Sequence, residues 1–296
     1  MNEVPSRALA AAAPVAFIVL WSSAFIAARA GLPDVSPLLF LALRFVLATL
    51  VLVALCLIWR QDWRGLGRRW PHFVLAGILI NGLYLGGAYI AMTRITGATM
   101  ALVGSLHPLL TALLSGPVLG DRFRVSQWLG FICGVGGVAL VAGIRLDDFA
   151  QVEGMAVGTA ATLSLVFGTL YYSRHCKGAA LVPANTVQLA GASAVALVLM
   201  AAFEAPRAVW TPTALATLAY LAIAISVGGM ALLLFMLKTG TAGKVAANFY
   251  LTPGVTAVLG WLILGEGLST TAILGFGLAS AGVWLVNRGG PPAGSA

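Results

Sequence analysis

Charge is what this chain has least of. Only 9% of its 296 residues are Asp, Glu, Lys or Arg, against roughly 25% in an ordinary soluble domain. Seventeen bases and nine acids cannot clothe a core in water, which excludes a cytosolic enzyme. The 60% apolar content excludes a disordered chain. Cysteine is equally scarce. Three residues, with no Cys-x-x-Cys and no histidine at ligand spacing, exclude a disulfide framework and a structural zinc site. No metal and no cofactor is expected. A net charge of +8 would suggest nucleic acid in a soluble protein. Here the cations sit between long apolar runs, so no nucleic acid is expected and the chain reads as an integral membrane protein solvated by lipid.

Runs long enough to cross about 30 Å of hydrocarbon as helices, roughly 20 residues each, recur along the whole sequence. They lie near 12–30, 36–59, 71–93, 97–119, 126–144, 153–173, 182–203, 212–236, 243–264 and 270–287. The expected fold class is an all-α membrane protein of ten transmembrane helices. Basic residues resist translocation and so orient the spans. With the N-terminus inside, the inner side holds Arg7, Arg60, Arg64, Arg68, Arg69, Arg122, Arg124, Arg174, Lys177, Lys238, Lys244 and Arg288. The outer side holds only Arg29, Arg94, Arg145 and Arg207, with Arg44 left inside a helix. Asp34, Asp147, Asp148, Glu153, Glu204 and Glu266 all fall outside. Both termini are therefore expected in the cytoplasm. Arg7 before an apolar run, with Ala28-Arg29-Ala30 behind it, imitates a signal peptide. The run is longer than a signal core of roughly 7–15 residues, and it is expected to stay as the first span.

A slide of 145 residues brings one half of the sequence over the other. Leu106-x-Pro108-x-x-Thr111-Ala112 falls on Leu251-x-Pro253-x-x-Thr256-Ala257, Leu119-Gly120-Asp121 on Leu264-Gly265-Glu266, and Leu129-Gly130-Phe131 on Leu274-Gly275-Phe276. The same offset pairs Thr96 with Thr241 and Arg29 with Arg174. Two five-helix repeats are expected, 8–145 and 150–288, followed by a flexible cytoplasmic tail, 289–296. Five is odd, so the second repeat enters the membrane inverted. The charges agree: Gly120-Asp121-Arg122-Phe123-Arg124 is expected inside, whereas its counterpart Gly265-Glu266-Gly267-Leu268-Ser269 has no arginine. Inverted repeats suit a carrier, because two similar halves packed face to face have two near-equivalent arrangements, with a substrate site between them at the midplane.

Trp21-Ser22-Ser23, Leu43-Arg44-Phe45 and the Pro…Gly-(Asp/Glu) pattern closing the fourth and ninth spans resemble the EamA-type drug/metabolite transporters. The resemblance covers about residues 10–288. It implies a cavity lined by the first four spans and by spans six to nine, with the fifth and tenth in support. It also implies export of small metabolites, often amino acids, across a bacterial inner membrane, with the aromatic-amino-acid exporters as the branch of choice.

A polar group in hydrocarbon needs a partner or a wet cavity, so midplane polar residues are the natural candidates for the site. His107 lies near the middle of the fourth span, just before Pro108, where the missing helical hydrogen bond frees a carbonyl. It either contacts substrate or bonds a neighbouring backbone carbonyl. Gly77, Asn81, Tyr84 and Ala88 fall on one stripe of the third span, able to bond a polar head group or an adjacent helix. Ser226 and Gly229 are the repeat mates of Asn81 and Tyr84. Ser105, Asn248 and Tyr250 are comparable substrate-binding candidates. Trp21 lies at mid-depth, unlike the interfacial Trp59, Trp63, Trp70 and Trp210, and either packs on a helix or stacks on a planar ligand. Arg44 either snorkels outward, caps carbonyls or holds a carboxylate. Pro108 and Pro253 are hinge candidates.

No Asp or Glu falls within a predicted membrane core, so a facilitator running down its substrate gradient is expected rather than a tightly proton-coupled pump. Ser105 and His107 are two residues apart and point to opposite sides of a helix. With no GxSxG or HExxH present, an intramembrane enzyme is a poor reading. Multidrug export would want a carboxylate in the cavity, and nucleotide-sugar exchange several midplane cations. Gly82-x-x-x-Gly86, Gly130-x-x-x-Gly134 and Gly154-x-x-x-Gly158 are close-packing faces. A monomer is expected, with a small molecule as its substrate. Cysteines placed at Asp121 and Glu266 should react with a membrane-impermeant maleimide from opposite compartments. Labelling of both from one side would abolish the inverted repeat.

Overall fold

Inside hydrocarbon a peptide can hydrogen-bond only within the protein, so long apolar runs fold as helices. A computed structural model describes residues 7–104, 106–119, 123–142, 149–176, 180–239, 248–265, 267 and 270–288. Among these, β-pairing is limited to an isolated bridge between Val35 and Ala208. The helices are α1 (Arg7–Gly31), α2 (Pro37–Ile58), α3, α4 (Gly97–Gly104), α5 (Leu106–Leu119), α6 (Val125–Ala142), α7 (Phe149–His175), α8 (Leu181–Phe203), α9, α10 (Thr252–Leu264) and α11 (Thr270–Arg288). Two of them change pitch midway. α3 runs as Trp70–Gly77, a π-helical stretch Ile78–Leu83, then Tyr84–Ala91. α9 runs as Pro212–Tyr220, a π-helical stretch Leu221–Gly229, then Met230–Thr239. The offset of 145 carries the first π stretch into the second.

Six stretches are long and apolar enough to cross a membrane: Ala12–Gly31, Pro37–Ile58, Gly67–Ala91, Phe149–His175, Leu181–Phe203 and Pro212–Leu233. The other four predicted spans fall on α4 with α5, α6, α10 and α11, which are shorter or carry side chains outside the described residues. Local chemistry sets several ends. Pro37 and Pro212 occupy first turns, where a missing N–H costs nothing. Thr211 caps α9 by accepting from the Ala214 amide at 3.0 Å. Gly265 ends α10 at φ 68°, a left-handed position that suits glycine.

Small residues decide which helices touch. A Cβ on Gly282 of α11 would lie 2.6 Å from the Gly130 carbonyl and 2.7 Å from the Gly134 nitrogen of α6, so the Gly130-x-x-x-Gly134 face receives a third glycine. α6 and α11 share the most extensive helix interface of the described residues. On α7, Gly154 and Gly158 seat Ile95 and Met100, at 2.9 Å and 3.0 Å from a would-be Cβ. Gly77 lets α3 meet the α8 backbone, where a Cβ would fall 2.1 Å from the Gln188 carbonyl oxygen. The main core gathers buried residues of α1, α2, α3, α4, α7, α8 and α9.

At one end of the molecule the two loops that follow α1 and α8 clasp each other. The Ser36 amide donates to the Arg207 carbonyl at 2.9 Å, and the Val209 amide to Asp34 O at 2.8 Å. The Glu204 carboxylate accepts from Ser36 Oγ and from the Leu38 and Leu39 amides, each at 2.9 Å. An acid from α8's end thereby caps the N-terminus of α2, where the helix dipole favours negative charge. Thr211 donates to the Asp34 carboxylate beside it.

Gly77→Ala drives a methyl into backbone rather than into a flexible side chain, and should cost about 1–3 kcal/mol as other overpacked sites do. Gly228→Ala meets nothing within 4 Å and should leave the protein at least as stable as before. Thermal unfolding of the two variants in detergent, followed by tryptophan fluorescence, checks the contrast.

Candidate functional site

The π stretches matter because each leaves backbone carbonyls without their ordinary helical donors. Side chains from neighbouring helices supply donors. Ser164 Oγ of α7 donates to the Leu79 carbonyl at 3.0 Å. Asn185 Nδ2 of α8 donates to the Ser226 carbonyl at 3.3 Å. Ser226 Oγ reaches back five residues to the Leu221 carbonyl at 3.0 Å. Both stretches contribute to one cavity.

Its walls come from α1 (Trp21, Ala24, Phe25, Ala28), α2 (Arg44), α3 (Asn81, Tyr84, Leu85, Ala88, Tyr89, Met92), α8 (Leu189) and α9 (Ile225, Ser226, Met230). The π stretches contribute Asn81 on one side and Ile225 and Ser226 on the other. Aromatic and aliphatic groups make most of the surface, and the polar atoms converge from three helices.

Arg44 is the centre of that polar group. Seven residues into α2 from Pro37, or about 10 Å at 1.5 Å per residue, it is only 5% exposed. Snorkelling is therefore ruled out. Its Nε donates to Ser226 Oγ at 3.0 Å and its Nη1 to the Tyr89 hydroxyl at 2.9 Å. The guanidinium carbon lies 5.8 Å from the Phe45 ring centroid. Arg44 thus ties α2 to α3 and α9, and no carboxylate pairs with it among the described residues.

The structure brings Trp21, Arg44, Asn81 and Tyr84 to the same cavity. The ring of Trp21 packs 5.2 Å from that of Phe17. Asn81 is 5% exposed and its Nδ2 has no hydrogen-bond partner in the structure. His107 is placed elsewhere. Its Nε2 lies 3.1 Å from Thr169 Oγ1 of α7, and that hydroxyl donates to the Leu165 carbonyl. The histidine nitrogen is then the donor of the pair. Asn248 is half-buried in the 3₁₀ turn Asn248–Leu251, outside the cavity lining. Pro253 is buried in the first turn of α10, directly after that turn, rather than in a helix interior. Ser105 and the side chains of Pro108 and Tyr250 lie outside the described residues.

The resemblance implied lining by ten-helix positions one to four and six to nine. Among the described residues α4, α5, α7 and α10 contribute none. α7 packs behind α3, held by Gly168, whose would-be Cβ lies 2.7 Å from Ile80. α10 bonds to α1, with Ser22 Oγ donating to the Thr252 carbonyl at 3.3 Å and Thr256 Oγ1 to the Ser22 carbonyl at 3.5 Å. Sequence reading missed Tyr89, Met92 and Met230 in the lining, and gave no partner for Ser22 or Ser23, whose hydroxyls donate to the Thr252 and Leu20 carbonyls. The Tyr220 hydroxyl is 2.6 Å from Ser23 Oγ. Also unforeseen is a stack at the far end of α3 and α7, where the His72 and His175 rings lie 5.1 Å apart and His72 Nδ1 meets the Tyr171 hydroxyl at 2.6 Å. Nearby, burial pushes the Cys176 thiol up to about 11 against the opposing pull of Arg69.

A family model described as the EamA-like transporter family matches residues 8–143 and again 152–288. The uncharacterized transporter YvbV of Bacillus subtilis (strain 168) is 24% identical over 271 residues, 91% of this chain and 88% of that one. Protein PecM of Dickeya dadantii (strain 3937) is 27% identical over 262 residues, 86% of this chain and 84% of its own. The uncharacterized inner membrane transporter YedA of Escherichia coli (strain K12) is 24% identical over 279 residues, 93% and 89% respectively. A solved crystal structure superposes with a TM-score of 0.73 at 22% identity, over 94% of this chain and 97% of the other, and so shares the fold.

Removing the Ser164 hydroxyl leaves the Leu79 carbonyl without that donor. Ser164→Ala should cost about 0.6–1.7 kcal/mol, the range for polar contacts between membrane helices. Chemical denaturation in detergent micelles measures the loss, and an unchanged midpoint would show that the π stretch does not depend on this bond.

Proposed function

The chain belongs to the EamA-like transporter family and is a multi-pass transporter of the inner membrane, and on that premise we propose that it exports small metabolites, foremost neutral or aromatic amino acids, through the cavity between α1, α2, α3, α8 and α9. The observation that carries the reading is the origin of the walls. α1, α2 and α3 belong to the first segment matched by the family model, and α8 and α9 to the second. A site made jointly by two similar halves is what alternating access requires, since rocking one half against the other exposes the same residues to either side. The paired π stretches, related by the repeat offset, support that symmetry.

In this reading Arg44, Asn81 and Tyr84 meet the polar atoms of the substrate, while Trp21 and Phe25 meet its apolar body. Ser105, His107, Asn248 and Tyr250 join the lining as the halves rock, and Pro108 and Pro253 mark the flexing points. Both walls come from one chain, so the monomer suffices. Facilitated export is favoured over proton-coupled drug efflux because the described lining holds no carboxylate to exchange protons. Nucleotide-sugar exchange is disfavoured because that lining offers a single cation, Arg44.

Proteoliposomes loaded with a panel of radiolabelled amino acids test the reading. Efflux should follow the substrate gradient alone, and a strict need for an imposed pH gradient would refute facilitation. Asn81→Ala and His107→Ala should each lower flux by on the order of tenfold, the equivalent of about 1.4 kcal/mol, with folded protein retained. Unchanged flux in both variants removes them from the site.

A further inference from the structure

We propose that the cavity holds a small organic monoanion, a carboxylate on an apolar body, gripped by Arg44 and Asn81, and that it has no group dedicated to a positive charge on the ligand. This deepens the transport reading and rests on it for the cavity being a substrate site. The first observation is the unbalanced cation. A buried guanidinium is costly unless an anion accompanies it. Arg44 is 5% exposed, its two hydrogen bonds go to neutral hydroxyls, and no acid pairs with it among the described residues.

The second observation is independent of that charge. Asn81 of α3, also 5% exposed, is a lining residue of the same cavity, and its amide nitrogen has no hydrogen-bond partner. The Tyr89 hydroxyl accepts from Arg44, which turns its own proton away from the guanidinium. Ser226 Oγ already accepts from Arg44 and donates to the Leu221 carbonyl, so it offers the ligand little. The donors left open to a ligand there are the remaining N–H groups of Arg44 and the Asn81 amide nitrogen. A planar carboxylate has acceptors only and matches the fork of a guanidinium in two parallel bonds. One cation suits a monoanion rather than a dianionic phosphate. Trp21, Phe25 and Leu85 offer the ligand's body an apolar wall.

Matched ligands separate the two ends of an amino acid. L-phenylalanine, 3-phenylpropionate, which lacks the amine, and phenethylamine, which lacks the carboxylate, are titrated into the detergent-purified protein, with L-leucine, 4-methylpentanoate and 3-methylbutylamine as an aliphatic set. Binding is read by calorimetry and by thermal stabilisation. The two acids of at least one set should bind comparably and their amine should not. Arg44→Gln should weaken the acids by on the order of tenfold to a hundredfold, as expected for a hydrogen bond to a charged group, without improving the amines, and Arg44→Lys should retain part of the binding. If the Arg44 variants do not fold, Asn81→Leu and Tyr89→Phe keep the charge and should each still weaken the acids relative to wild type.

Amines binding as well as acids, acids binding unchanged in the folded variants, or no acid binding in either set would overturn the assignment. The transport reading fails separately. If acids bind with this preference but liposomes move none of them, export is wrong and the anion site stands. If amino acids are moved but amines compete equally, export stands and the anion site is wrong.

Discussion

A peptide group or a charge placed in hydrocarbon has no water to turn to, and each must find its partner inside the protein. That requirement shapes the middle of this molecule. The pitch changes in α3 and α9 loosen backbone bonds at the level of the cavity, and Ser164, Asn185 and Ser226 supply the missing donors. Arg44 is held by the same logic, with hydroxyls from two other helices. The result is a polar knot tying α2, α3, α7, α8 and α9 around one space. The knot has a surplus at the Asn81 amide and the unpaired charge of Arg44, and both residues line that space.

How much of this was legible in the sequence depends on what kind of contact was at stake. Apolar runs and small-residue faces are local patterns, and six of the runs and two of the faces translated directly: Gly130 and Gly134 do receive a helix, and Gly154 and Gly158 seat Ile95 and Met100. The stripe through Asn81 and Tyr84 reached the cavity for the same reason, since residues on one helix face travel together. Partners across helices were not legible. Nothing about Tyr89 marks it as an acceptor for Arg44, because α2 and α3 come together only in the tertiary fold. His107 shows what depth alone leaves undetermined. Its midplane position points to the substrate, yet a hydroxyl on α7 satisfies its Nε2 away from the cavity lining. Depth identifies a group that needs a partner, and only packing says which partner it takes.

The pitch changes were hidden for another reason. A π stretch has no composition of its own, and Ile78-Leu79-Ile80-Asn81-Gly82-Leu83 reads as ordinary helix. The signal that could have found it is the repeat. Asn81 and Ser226 are mates at the offset of 145, and polar residues at matched depth in two halves suggest a matched irregularity of backbone. In the fold the two mates stand on facing walls of one cavity, though they differ in chemistry. The first presents an open donor and the second is engaged by Arg44. A duplicated backbone with unlike side chains is a way to keep two halves mechanically similar while giving the site a direction.

If the halves rock, the bonds between them say where the work is done. At one end the loops after α1 and α8 are joined through Glu204 to the start of α2 and through Asp34 to Thr211. These are charge-assisted, directional contacts at half-buried groups, and opening the cavity at that end would have to break them together. Deeper in, Ser22 and Thr256 join α1 to α10 by longer bonds of 3.3 Å and 3.5 Å. Contacts stretched in this way resist a sliding motion less than the clasp does. α6 and α11 stand outside the cavity lining, locked glycine against glycine, so they can anchor the two halves while the cavity helices tilt. An anion at Arg44 would act on this balance directly. The guanidinium bonds α3 of one half and α9 of the other, and a carboxylate that draws it away from Ser226 or Tyr89 loosens the bridge between them. Recognition and movement would then share one residue, which is a direct way for a carrier to open only when it is loaded.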